Sequence, residues 1–210
     1  MQSDSLTLRF HLARFPVVIE PTFWVSMILS ASNLRGPSFV LWILVVFLSI
    51  LTHELGHAVA ARAFGARASI AIHALGGLTF PDRTLPRNQS LVMTLAGPAA
   101  GFALAGLVWL LRHELPMVAR VPHLRTFLRD LFTVNLGLSL FNLLPIPPLD
   151  GGHAALLVAG PRRERTVRQV AVAVAALVVV WGISVQSIFV VLLVGLAGFR
   201  NYQALRERSR

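Results

Sequence analysis

Thr52-His53-Glu54-Leu55-Gly56-His57 is the stretch whose residue types and spacing could do chemistry. His53 and His57 are four residues apart, so on a helix both imidazoles leave from one face. That spacing can grip one zinc ion, with Glu54 beside the open coordination position as a general base. The plainer reading is two core histidines and a glutamate tolerated on a helix. The surroundings weaken it, because Phe39 to Phe64 is otherwise almost entirely apolar up to Arg62. Histidines and a carboxylate inside lipid are costly unless paired or coordinated, so such a cluster marks a functional site by default.

A second stretch is Asn142-Leu143-Leu144-Pro145-Ile146-Pro147-Pro148-Leu149-Asp150-Gly151-Gly152-His153. Three prolines must break a helix there, which forces non-helical backbone at membrane depth or at its edge. Such backbone is tolerated where it lines a cavity or is buried in protein. Asp150 is then presented from a turn, with two glycines allowing close approach. Taken alone, the same residues also read as a plain surface turn.

The chain that must position these stretches is greasy: 210 residues, 55% hydrophobic and only 13% charged. Several apolar runs approach the roughly 20 residues that cross a bilayer, which predicts a polytopic membrane protein. The formal charge is +10. All 19 basic residues are arginines set between apolar runs, so topology accounts for them better than nucleic acid does, and no nucleic-acid partner is expected. Without cysteine, any metal must use His, Asp or Glu. No cleavable signal peptide is read at the start of the chain.

Leu6 to Leu12 alternates apolar and polar residues, which predicts a half-buried strand at the membrane surface. Spans are expected at Phe15–Ser32, Phe39–Phe64, Asn88–Leu111 and Thr126–Leu144, with a turn at Asn33–Ser38. Ser69 to Leu75, leading into Gly76-Gly77, reads as a strand or hairpin. His73 there could approach a metal or simply cap a strand end. Pro81–Arg87 and Arg112–Arg125 read as loops. Gly97, Gly101 and Ala105 form a small-residue stripe for helix packing. Val167–Phe199 is too long for one crossing, and Trp181-Gly182-Ile183-Ser184 could turn between two short spans.

Together, the His53–His57 motif and Asn142…Pro145…Leu149-Asp150-Gly151 resemble the site-2 protease family of intramembrane zinc metalloproteases. Gly76-Gly77 and Ala96-Gly97-Pro98 extend that resemblance over most of the chain. It implies one zinc ion per chain held by His53, His57 and Asp150, with Glu54 as the catalytic base. It also implies that Asn142, eight residues before the aspartate, assists the substrate carbonyl. His153 is read as packing or support and not as a ligand. There is no room for the PDZ or CBS domains of many members, so the chain resembles the minimal membrane core.

The expected fold is therefore an all-α polytopic membrane protein with about six transmembrane helices and a small membrane-associated β element. Residues 1–210 would form a single membrane-embedded metalloprotease domain. With six spans, 14 arginines share one side: Arg9, Arg14, Arg62, Arg67, Arg83, Arg87, four in 162–168 and four from Arg200 on. Arg35, Arg112, Arg120, Arg125 and Arg129 take the other side, and a five-span topology would give 10 against 9. The positive-inside rule thus favours six spans with both termini cytoplasmic. The expected location is a bacterial or archaeal cell membrane, with the active site open to the cytoplasm. The expected partners are the lipid bilayer and a transmembrane protein substrate, unwound locally and held by strand addition around Ala68–Leu78. Two alternatives stand beside this. A membrane zinc peptidase for soluble or lipidated peptides usually takes a glutamate third ligand, and a non-catalytic scaffold needs no Glu54.

Overall fold

The computed structural model describes residues 7–12, 14–31, 34–114 and 121–207. Their contacts divide the chain into two compact units, 1–139 and 140–210. The elements of the first are β1 (Leu8–Leu12), β2 (Phe15–Ile19), α1 (Pro21–Ser30), α2 (Pro37–Ala63), β3 (Ala68–His73), β4 (Gly76–Pro81) and α3 (Arg87–Glu114). Helix α4 (Pro122–Asn142) follows, and its last three residues belong to the second unit. That unit continues with α5 (Asp150–Ala159), a 3-10 turn at Pro161–Arg163, α6 (Glu164–Ser184) and α7 (Ile188–Glu207).

The strands form one four-stranded sheet in the order β1-β2-β3-β4. β1 pairs antiparallel with β2, from Leu8 opposite Ile19 to Leu12 opposite Phe15. β2 runs parallel to β3, with Val17 opposite Ile70, and β3 turns antiparallel into β4. Alternation sets the buried face: Phe15, Val17, Ile19, Ala68, Ile70 and Ile72 point inward. They meet Phe23 and Met27 of α1 and Ile50, Leu51, Ala58 and Ala61 of α2 in one core.

Among the described residues, four helical stretches are long and apolar enough to cross a membrane: Pro37–Ala63, Arg87–Glu114, Pro161–Ser184 and Ile188–Glu207. The other two expected spans fall outside that set. Phe15–Ser32 is not one helix; its β-branched start, Val17-Val18-Ile19, pairs as strand, and ten of its described residues are helical. α4 carries Arg125, Arg129 and Asp130 in its first half, where Arg129 and Asp130 form an exposed ion pair at 2.8 Å. The break in Val167–Phe199 lies at Val185–Ser187, where Gln186 takes φ 55°, and the helix runs through Trp181–Ser184. Both flanking helices reach full length by continuing outward to Glu164 and Glu207. The hairpin after α2 is as expected. The Leu6–Leu12 strand is present over Leu8–Leu12, and Leu6 lies outside the described residues. So do 32–33 of the turn and 115–120 of the loop, which is otherwise shortened by α3 and α4.

Helices α2 and α3 pack closely through Gly56. A Cβ there would stand 2.3 Å from the Ala96 carbonyl oxygen and 2.8 Å from Ala100 Cβ. Gly106 on α3 faces open space. Overpacking a close contact costs about 1–3 kcal/mol. Gly56→Ala should therefore lower the melting temperature of the detergent-solubilised protein, while Gly106→Ala should leave it level or raise it. Equal melting temperatures for the two variants would contradict the close approach.

Candidate metal centre

Helix α2 places His53 and His57 one turn apart on its buried side, where they are 5% and 7% exposed. Their Nε2 atoms approach to 3.1 Å, and the rings meet edge-on at 82°. His57 Nδ1 lies 2.8 Å from the Met93 carbonyl oxygen on α3. A carbonyl only accepts, so that ring nitrogen carries the proton and Nε2 turns its lone pair towards His53. Two nitrogens bound tetrahedrally at 2.0–2.1 Å to one zinc ion stand about 3.3 Å apart. The pair therefore fits a zinc ion, and the Met93 carbonyl is the kind of outer partner that orients a histidine ligand.

The space for the two rings comes from Gly97 of α3. A Cβ built there would fall 2.2 Å from His57 Nε2 and 2.9 Å from His53 Nε2. The small-residue stripe is thus split in role. Gly101 meets the Ser139 hydroxyl, as packing predicts, whereas Gly97 cradles the imidazoles. Pro98 follows directly; lacking an N–H, it cannot donate to the Thr94 carbonyl one turn back.

Glu54, 4% exposed, is covered by β4. Thr79 Oγ1 donates to Glu54 Oε2 at 2.7 Å and also lies 3.1 Å from the Glu54 carbonyl oxygen. A Cβ on Gly77 would strike the Glu54 side chain at 2.3 Å, so only glycine lets the strand lie over the carboxylate. Sequence reasoning missed Thr79; a lone threonine in a strand has no signature, although its i, i+2 relation to Gly77 puts both on one face. It also missed a buried polar cluster one turn before His53. There Asn135 Nδ2 donates to Ser49 Oγ and to the Leu131 carbonyl, both at 2.8 Å.

The remaining predicted residues are also located. His73 ends β3, and its Nδ1 accepts from the Leu75 N–H at 3.2 Å, which is the strand-end role. Glu20, not one of those candidates, is an ionisable residue exposed at the N-cap of α1 and accepts from Thr22 Oγ1 at 3.4 Å. In the second unit, Asn142 is the last residue of α4 and is half-buried. Asp150 does not sit in a turn; it is the first residue of α5, with Leu149 as N-cap. Three prolines end α4, but Leu149 already has the extended backbone of a cap, and helix resumes at once. His153, on the same turn, is exposed.

Comparison with known proteins adds three findings. The model of peptidase family M50 matches residues 41–118 and 116–185. Zinc metalloprotease MJ0392 of Methanocaldococcus jannaschii is 32% identical over 151 residues, which cover 69% of this chain and 42% of that protein. Stage IV sporulation protein FB of Bacillus subtilis is 33% identical over 144 residues, covering 67% and 46%. The chain spans between 34% and 46% of the length of the curated relatives it matches. A solved structure, the site-2 protease from Methanocaldococcus jannaschii, superposes with a TM-score of 0.65 over 95% of each chain at 21% identity. It shares the fold.

Gly97→Ala tests the cradle. The added methyl would occupy the imidazole position, so bound zinc should fall well below the wild-type ratio by elemental analysis. An unchanged zinc content in this variant would remove Gly97 from the site.

Proposed function

Because the chain belongs to peptidase family M50, the site-2 protease family, we propose that it is an intramembrane zinc metalloendopeptidase cutting membrane-protein substrates in or near their transmembrane segments. The observation that carries this is the convergent His53–His57 pair with Glu54 beside it, on a helix long and apolar enough to cross the bilayer. One zinc ion per chain is assigned to His53 and His57 of the first unit and Asp150 of the second, the ligand set that the family resemblance implies. Residues 1–210 act as one membrane-embedded domain in this reading.

Zinc, when bound, supplies a Lewis acid and a water of lowered pKa. Glu54 takes a proton from the attacking water and returns it to the leaving amine. Thr79 holds Oε2, so the other carboxylate oxygen is the one turned to that water. The Asn142 amide donates to the oxyanion of the tetrahedral species, a contact worth about 10²–10³ in kcat. β4 is an edge of the sheet, and its open side is where an unwound substrate would add as a strand.

A six-crossing topology with the site open to the cytoplasm has support in the first unit. β2 leads through Glu20 straight into α1, and this stretch is assigned to the first crossing. Strand backbone at that depth is satisfied because β1 and β3 flank β2. Arg14, Arg62 and Arg67 line one concavity of about 650 Å³ beyond the C-terminal end of α2, the arginine-rich side. The bilayer and a transmembrane substrate are the partners proposed.

Co-expression with a single-span membrane reporter tests the activity. Wild type should cleave it within or beside the span, and Glu54→Gln should keep zinc but yield no product. Cleavage surviving in Glu54→Gln would overturn the mechanism. Thr79 makes a separate prediction. A hydrogen bond to a charged group contributes about 1.5–3 kcal/mol, so Thr79→Val should slow single-turnover cleavage about tenfold or more, and Thr79→Ser should restore it. Equal rates for the valine and serine variants would show that the hydroxyl does not act on Glu54.

A further inference from the structure

Asn201 of α7 is a polar side chain only 1% exposed, and nothing in the mechanism above uses it. Its Nδ2 donates to the Pro147 carbonyl at 2.6 Å and to the Ala197 carbonyl at 2.8 Å. Its Oδ1 accepts from Arg168 Nη1 at 3.1 Å. Arg168 is itself held by Glu164, through Nε at 2.9 Å and Nη2 at 2.8 Å. Turned over, the carboxamide would face two carbonyls with its oxygen and a guanidinium with its NH₂. Only one orientation is therefore allowed.

Pro147 lies in the segment that delivers Asp150. That segment is tightly bound to the first turn of α5. A Cβ on Gly151 would come within 2.1 Å of the Leu143 carbonyl oxygen, and one on Gly152 within 2.0 Å of Pro147 N. Ile146 is fully buried, and the Leu149 N–H donates to its carbonyl at 2.8 Å. With backbone on backbone and no spare room, the Pro147 peptide and the start of α5 must shift together. Whatever fixes the Pro147 carbonyl also fixes Asp150, three residues on.

We infer that Asn201 is a positioning residue for Asp150: backed by the Arg168–Glu164 pair of α6, it pins the Pro147 carbonyl and so sets the carboxylate for the metal. This rests on the assignment of Asp150 as a zinc ligand. An outer partner of a metal ligand typically contributes 10–100-fold in metal affinity, and Asn201 acts at a comparable remove through the backbone. The ordinary alternative is a hydrogen bond between helices that contributes stability only.

Zinc dissociation constants from chelator competition, on the full chain in detergent, separate the two roles when melting of the metal-free protein is measured alongside. Asn201→Leu should weaken zinc binding about tenfold or more. Arg168→Met, which leaves the Pro147 bond in place, should weaken it less. Val190→Ala, a packing change on α7, should lower the melting temperature without moving the dissociation constant. If Asn201→Leu does not fold, Asn201→Asp keeps the shape and the acceptor for Arg168 but donates nothing to Pro147, and it should show the same weakened binding. A lower melting temperature with wild-type zinc affinity in Asn201→Leu or Asn201→Asp would overturn the inference. Asp150→Ala guards the premise. If it binds zinc as wild type does, the ligand assignment itself falls. If it loses zinc while the Asn201 variants bind normally, only the positioning role falls.

Discussion

Two imidazole nitrogens 3.1 Å apart inside an apolar helix face are the constraint on which the first unit depends. With His57 Nδ1 protonated against the Met93 carbonyl, its Nε2 lone pair points at the other ring. Such a pair is satisfied by a shared cation or a shared proton, and either demands that the neighbouring helix come close without filling the gap. Gly56 lets α3 approach α2, and Gly97 keeps the ring space clear. Helix α3 is small where the rings lie and bulkier beyond, as its buried Val108 illustrates.

The sheet follows from the same need. A carboxylate in an apolar surround requires a donor, and a helix neighbour has no free N–H to offer at mid-length. A strand can pass near Glu54 only if one residue lacks a side chain and another brings a hydroxyl. β4 does both with Gly77 and Thr79. The strand's own backbone is then satisfied along one edge by β3, and β2 and β1 complete a platform whose apolar face covers α1 and α2. In the second unit, Gly151 and Gly152 permit backbone contact beside Asp150, and Asn201 donates to the Pro147 carbonyl of the same segment.

What could be read from sequence was chemistry at fixed spacing and long apolar runs. His53, Glu54 and His57 carry their geometry in the helical period, and the hairpin after α2 is announced by Gly76-Gly77. The proline-rich break was legible too, but the helix that restarts at Asp150 was not, because Asp-Gly-Gly has the composition of a turn. Phe15–Ser32 misled for a related reason: an apolar run of that length fits a span, while strand pairing with residues 68–73 is a long-range fact. Thr79, Asn135 and Asn201 were invisible as single polar residues. Their roles depend on partners 25, 86 and 54 residues away.

In the mechanism proposed above, one zinc ion is held by two imidazoles and one carboxylate. X-ray absorption at the zinc edge, on the purified 210-residue chain in detergent, reads those donors. That ligand set gives one zinc per chain with two imidazole nitrogens and the remaining donors oxygen, all at about 2.0–2.2 Å. A third imidazole in the coordination shell, or a shell of oxygen donors alone, would contradict it.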